Sequence, residues 1–125
     1  MHSAIANMAA SVLIALVALL HLYFMVLEMF LWQKPVGLKI FRNSAEFARA
    51  SSVLAANQGL YNGFLSAGLF WGLWQGDSGQ AIKLFFLGCV IIAGVYGAAT
   101  VSRKIFYLQA LPAVIALALV MITSY

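Results

Sequence analysis

The chain has 125 residues, of which 65% are hydrophobic and 8% are charged. Soluble domains carry about 25% charged residues, so this composition excludes an ordinary soluble domain and indicates one membrane-embedded domain over residues 1–125. The formal net charge of +4 does not indicate a nucleic-acid-binding protein, because the seven Lys and Arg residues are scattered along an apolar chain.

Four apolar segments are long enough to span a bilayer as helices, which takes about 20 residues. They run over residues 4–32, 51–74, 81–101 and 105–122. The first segment lacks the basic residues with which a signal peptide begins, and it is longer than the apolar region of a signal peptide. We therefore expect it to remain in the membrane. The sequence thus predicts an all-α integral membrane protein, a bundle of four transmembrane helices.

The connection between the first two segments is the longest and has room for structure of its own. We expect Pro35 and Gly37 to end the first helix. Asn43 or Ser44, followed by Glu46, is typical of the start of a helix. The sequence therefore predicts a short interfacial helix that leads into the second segment.

The basic residues predict the orientation of the bundle. The side of the second connection holds only Lys83, and the first and third connections carry the other six: Lys34, Lys39, Arg42, Arg49, Arg103 and Lys104. Connections rich in Lys and Arg stay in the cytoplasm. We therefore expect both termini outside and the basic connections in the cytoplasm.

Two ionisable residues, His21 and Glu28, lie inside the first segment. Such residues are costly in a membrane helix and are functional candidates by default. Seven residues of spacing place them on one helix face, about 10 Å apart along the axis, and we expect them to be catalytic acid–base groups. The alternative is that Glu28 pairs with Lys34 or Arg103 while His21 hydrogen-bonds a neighbouring helix. Two histidines and one cysteine are too few for a metal site, and none is expected.

The second segment carries two polar pairs at helical spacing. Asn57 and Tyr61 share one face and are predicted ligand-binding residues, with interhelical hydrogen bonding as the alternative. Gln58 and Asn62 share a face rotated by about 100°, and we expect them to contact a neighbouring helix or subunit. A stripe of small residues favours close helix packing: Ala55, Gly59, Gly63 and Ala67.

Further polar residues follow in the third and fourth segments. Tyr96, Thr100 and Arg103 fall on one side of the third segment, and Gln109 lies one turn into the fourth. We expect Tyr96, Thr100 and Gln109 to bind ligand and Arg103 to be a catalytic candidate or only a topology signal. A polar cavity open to the cytoplasm would satisfy these groups, which are costly to leave unpaired in lipid. It could lie inside one bundle or between subunits.

Three stretches of the chain, "HLYFMVLEMFLW", "NQGLYNGF" and "YGAATVSRKIFYLQALPA", resemble a family of small bacterial four-span proteins. That family is known only as domain of unknown function thirteen-oh-four. The resemblance covers the whole chain. It implies the topology and a multi-pass location in a bacterial inner membrane, but no activity.

The chain also resembles the superfamily of membrane-associated proteins in eicosanoid and glutathione metabolism (MAPEG). Asn57 and Tyr61 match the Asn and Tyr of its second-span motif, and Tyr96 and Arg103 match a Tyr followed seven residues later by Arg in its third span. The segment "LHLYFMVLEM" looks like its first span. The resemblance implies a homotrimer that binds glutathione or an amphiphile between subunits, with Arg103 stabilising a thiolate.

The chain departs from the MAPEG pattern at two positions. Val53 and Leu60 stand where that superfamily has the Arg and Glu that hold the charged ends of glutathione. Whether glutathione is a cofactor is therefore left open by the sequence.

These observations favour a membrane protein whose cytoplasmic-side pocket binds a small amphiphilic or lipid-like molecule, with or without transferase or isomerase chemistry. One alternative is a small transporter subunit in which Glu28 and His21 relay a proton, although the apolar outer half counts against it. Another is a structural or assembly protein. The expected partners are membrane lipids, the ligand and further copies of the chain, with a trimer favoured, and no nucleic acid.

Overall fold

The computed structural model describes residues 2–123, which divide into two compact units. One unit contains the described residues up to Ala18 and those from Ala67 onward, and the other contains Leu19–Ser66. Within residues 2–123 the regular secondary structure is helical and no strand occurs. The predicted all-α class is therefore confirmed.

The first helix, α1, spans His2–Met29 and ends three residues earlier than predicted. Pro35 does not end it: this residue begins the next helix, α2 (Pro35–Phe41). Proline suits the first position of a helix, where its missing N–H has no partner to lose. Gly37 lies buried inside α2. A Cβ atom there would collide with the carbonyl oxygen of Leu31, so the position requires glycine.

The short helix expected in the first connection is present as α3 (Ala45–Ala50). Ser44, rather than Asn43, is its N-cap, since the Ser44 hydroxyl accepts a hydrogen bond of 3.1 Å from the backbone N–H of Phe47. This bond satisfies one of the free N–H groups of the first turn.

The rest of the chain forms longer helices separated by short breaks. A 3₁₀ turn (Gly76–Gly79) precedes α5 (Gln80–Thr100). Gly76 has a φ of +61°, a conformation that favours glycine. The remaining helices are α4 (Ser52–Trp74), α6 (Arg103–Ile105) and α7 (Leu111–Thr123), with a π-helical turn at Phe106–Ala110 between the last two.

The π-helical turn ends two residues before a proline. Pro112 has no N–H, and in a regular helix its ring would collide with the carbonyl group of Leu108. The wider turn, in which the Leu111 N–H bonds the carbonyl oxygen of Phe106, accommodates this residue within the last helical segment.

Three helical segments within the described chain are long and apolar enough to cross a membrane. They are Ala4–Met29, Gly76–Thr100 and Arg103–Thr123, with mean hydropathies of 2.5, 2.0 and 2.4. With 23 residues, α4 is also long enough, but its amide and hydroxyl residues lower its mean hydropathy and it is not among the three. Length and composition thus support three of the four predicted spans.

In the unit that contains α5 and α7, small residues allow these helices to pack closely. Gly94 of α5 faces Ala110 at the end of the π-helical turn. The buried face of α7 continues from this contact with residues spaced three and four apart: Ala113, Ala116 and Val120. Helices inside a membrane associate through such small residues, because close contact maximises dispersion attraction.

Replacing Gly94 by Ala is expected to lower the free energy of unfolding by about 1–3 kcal/mol, as overpacking usually does. The added methyl group would lie 2.8 Å from the Ala110 nitrogen and 2.9 Å from its Cβ. Thermal and denaturant unfolding of the detergent-purified protein, followed by circular dichroism, measures the effect.

The matched control is Gly88→Ala in the same helix, where nothing lies within 4 Å of an added Cβ. Alanine there should leave stability unchanged or raise it by up to about 1 kcal/mol through helix propensity. An equal loss in both variants would contradict a tight contact at Gly94.

Candidate functional site

The Glu28 carboxylate lies in the last turn of α1, in the unit Leu19–Ser66, and the residue is 5% exposed. Its Oε2 accepts a hydrogen bond of 2.7 Å from the Gln58 side-chain amide. Its Oε1 accepts one of 2.6 Å from the Asn62 side-chain amide. Since Gln58 and Asn62 are four residues apart on α4, they share a helix face, and that face holds the carboxylate.

Glycines on the same helix allow this approach. A Cβ added to Gly59 would lie 3.0 Å from Glu28 Cβ, and one added to Gly63 would lie 2.7 Å from the Met25 sulfur. Larger residues at these positions would push α4 away from this part of α1. The predicted role of Gly59 and Gly63 in close helix packing is therefore confirmed, and this packing lets the short Asn62 side chain reach Glu28.

A cleft of about 330 Å³ borders the carboxylate. Trp32 is held in position there, because its Nε1–H donates to the Ser51 hydroxyl at 3.1 Å and its ring lies 4.8 Å from that of Phe41. The lining combines polar, basic and apolar side chains: Glu28, Met29, Phe30, Trp32, Gln33, Lys34 and Ser52.

Both recorded partners of the Glu28 carboxylate are neutral amides. Within the unit Leu19–Ser66 no ion pair joins it to Lys34, although Lys34 lines the same cleft. An ionised carboxylate can accept about four hydrogen bonds, so two amide bonds leave it with capacity for a further donor. The arrangement fixes a negative group at the edge of a cleft.

His21 lies in the same unit and is fully buried. Its ring packs edge-on against Phe24 at a centroid distance of 5.6 Å. His21 is not among the residues that line the Glu28 cleft. Although the two residues share a helix face as their spacing predicts, only Glu28 borders open volume there.

The ligand residues predicted on α4 lie on its exposed side. Tyr61 is 59% exposed and packs edge-on against Phe64, and Asn57 is exposed as well. They are turned away from the carboxylate that Gln58 and Asn62 hold. Neither residue lines the Glu28 cleft.

The predicted residues near the end of α5 are exposed too. Tyr96 is 71% exposed, and the Thr100 hydroxyl donates to its carbonyl oxygen at 2.7 Å. Arg103 does not continue their stack, because α5 ends at Thr100 and the extended Ser102 begins another helix. Gln109 lies half-buried in the π-helical turn. The expected stack of Tyr96, Thr100 and Arg103 on one side of the third segment is therefore interrupted before Arg103.

Gln58 and Asn62 contact a neighbouring helix as their spacing predicts, but the sequence does not reveal that their partner is Glu28. Their signal was an amide pair at a spacing of four beside two glycines. Trp32 and Lys34 line the cleft and were not predicted as site residues, since the sequence suggested Lys34 only as an orientation signal or as an ion-pair partner of Glu28. Among the described residues, no group of three or more His, Cys, Asp or Glu could hold a metal ion.

The chain matches a known protein family over most of its length. Residues 15–121, which include all three members of the hydrogen-bonded set, match the family described as "Protein of unknown function (DUF1304)". The chain belongs to this family. Over 108 residues it is 33% identical to "Uncharacterized protein YpaA" of Lactococcus lactis subsp. lactis (strain IL1403), a match that covers 85% of this chain and 91% of the relative.

No solved structure matches the chain. The comparisons confirm the resemblance to the small bacterial family and do not show the resemblance to MAPEG.

Replacing Asn62 by Ala is expected to lower the free energy of unfolding by about 1–3 kcal/mol, because a buried carboxylate oxygen loses its donor. Asn57→Ala is the control: it removes the same amide from an exposed position of the same helix, where no hydrogen bond is described. Unfolding in detergent should separate the two variants. Similar stabilities would contradict a structural role for the Asn62 bond.

Proposed function

We propose that α4 crosses the membrane together with the three apolar helical segments, as one transmembrane domain. The low mean hydropathy of α4 is compatible with a membrane span, because polar groups inside a membrane are tolerated when they are hydrogen-bonded. Gln58 and Asn62 direct their amides to Glu28. The basic connections then put both termini outside. The bacterial relative supports a location in a bacterial plasma (inner) membrane.

Within this frame, we propose that the Glu28 cleft binds the polar group of a small amphiphilic molecule. One observation carries the proposal: a buried carboxylate, oriented by two amides, borders a cleft of about 330 Å³, which lies within the usual range of ligand pockets. Glu28 would accept a hydrogen bond from an ammonium or hydroxyl group, and Met29, Phe30 and Trp32 would contact the apolar part.

The geometry favours binding over acid–base catalysis. Hydrogen bonds on both oxygens hold the Glu28 carboxylate in one orientation. The other acid–base candidate, His21, is fully buried and does not line the cleft. We therefore propose no chemical step at this site.

We also propose that the chain forms a homo-oligomer, with a trimer as the expected state. Asn57 and Tyr61 on α4, and Tyr96 on α5, are exposed in the single chain. Polar groups facing lipid find partners when helices of another copy cover them.

A second candidate function is structural. The same two hydrogen bonds join α1 to α4 next to the Gly59 contact, and interhelical polar contacts can serve only to assemble a membrane protein. In that case the cleft would have no occupant.

Native mass spectrometry of the detergent-purified protein separates the two functions. Glu28→Gln keeps the shape and removes the charge, so we expect retention of a co-purified molecule to fall by about tenfold or more, the effect of losing a charge-assisted hydrogen bond. The melting temperature should change little, because Gln can still bond both amides once one of them turns its oxygen toward the new NH2 group.

The control is Glu46→Gln, which removes an exposed carboxylate from α3 and should leave retention unchanged. A Glu28→Gln variant that retains the molecule but loses stability or subunits would favour the structural function. The same spectra report the oligomeric state, and a monomer would contradict the trimer.

A further inference from the structure

A second polar cleft lies in the unit that contains the 3₁₀ turn, and it shares no lining residue with the Glu28 cleft. Its volume is about 460 Å³. The cleft has an apolar floor, since Ala10 and Ile14 of α1 and Val120 of α7 are 0–4% exposed. Polar side chains surround this floor: Asn7, Ser11, Asp77, Gln80, Lys83 and Thr123.

Two of these side chains carry opposite charges without neutralising each other. No ion pair joins Asp77 to Lys83 within the described part of the chain, and no hydrogen bond described there engages the Asp77 carboxylate. The cleft therefore presents a separate negative group and a separate positive group, both oriented around one apolar floor.

The Lys83 side chain is held in place. Its Nζ donates to the carbonyl oxygen of Gly76 at 3.1 Å. Its stem lies against Gly72, where an added Cβ would be 2.9 Å from Lys83 Cγ. An ammonium group has three donors, and the bond to Gly76 leaves it able to bind an anion.

Other polar groups in the cleft differ in what they can offer a ligand. The Gln80 amide and the Thr123 hydroxyl both donate to the carbonyl oxygen of Val120, at 2.9 Å each. Asn7 and Ser11 lie four residues apart on one face of α1 and are exposed. They can add neutral hydrogen bonds beside the two charges.

From this arrangement we propose that the cleft binds a zwitterionic group, with its ammonium on Asp77 and its anionic phosphate on Lys83. Neither charge alone would satisfy both side chains, and Ala10, Ile14 and Val120 contact the carbon body of the ligand. The cleft lies where α5 begins and α7 ends, so in a membrane protein the source is a zwitterionic lipid headgroup or the free phosphoamine.

Native mass spectrometry of the full chain with added lipids tests this site. Phosphatidylethanolamine and phosphatidylglycerol with identical acyl chains are offered at equal concentration. We expect about tenfold preference for phosphatidylethanolamine, because the glycerol headgroup has no ammonium for Asp77. Equal uptake of the two lipids would overturn the proposal.

Variants identify the residues. Asp77→Asn should reduce the preference to about twofold or less, because Asp77 is the residue that distinguishes the two headgroups. Lys83→Gln should lower the uptake of both lipids by about tenfold, since both carry the phosphate, and Lys83→Arg should keep that uptake because the positive charge remains. Glu46→Gln and Lys39→Gln are exposed controls that change the same charges elsewhere. Unchanged preference in Asp77→Asn, unchanged uptake in Lys83→Gln, or a loss of either in the two controls would contradict the assignment.

Two further arms complete the design. O-phosphorylethanolamine added as competitor identifies the source: displacement of the lipid means that the headgroup chemistry suffices, and no displacement means that the whole lipid is recognised. Glu28→Gln should retain the preference, so a failure of this site and a failure of the Glu28 function are distinguishable.

Discussion

The hydrogen-bonded Glu28 carboxylate is the constraint that explains most of the unit Leu19–Ser66. An unpaired charge buried in a low-dielectric environment costs several kcal/mol, so a neighbouring helix must supply donors. Gln58 and Asn62 supply them at 2.7 and 2.6 Å. This need accounts for the polar composition of α4, because the amides that lower its apolarity are the ones directed at the carboxylate.

Glycine makes this interaction geometrically possible. An asparagine side chain is short, so its amide reaches Glu28 only if the two helices are close, and Gly59 and Gly63 remove the atoms that would keep them apart. The other unit also has a close helix contact at a glycine, where Gly94 faces Ala110, but no charged residue takes part in that contact. Inside a membrane, where burial from water contributes little between helices, such contacts provide dispersion attraction.

Composition and helical periodicity predicted the helices, the glycine contact and the shared face of His21 and Glu28. They did not predict the partners of Glu28. Periodicity gives the angle between Asn57–Tyr61 and Gln58–Asn62, about 100°, but not which pair turns toward α1. Local breaks were also missed: Pro35 fits a helix start as well as a helix end, and the stack of Tyr96 with Arg103 assumed a continuous helix that stops at Thr100.

The chemistry of Glu28 bears on whether it serves binding or assembly. A buried charged or polar set is weak evidence for stability, since apolar residues of similar volume often hold helices together as well or better. An assembly role would need only amides, which can bond each other across the same glycine contact. A carboxylate adds something that those amides lack, a fixed negative charge with lone pairs left over. That carboxylate borders a cleft with Lys34 on its lining, and this position is the reason for proposing a ligand there in addition to packing.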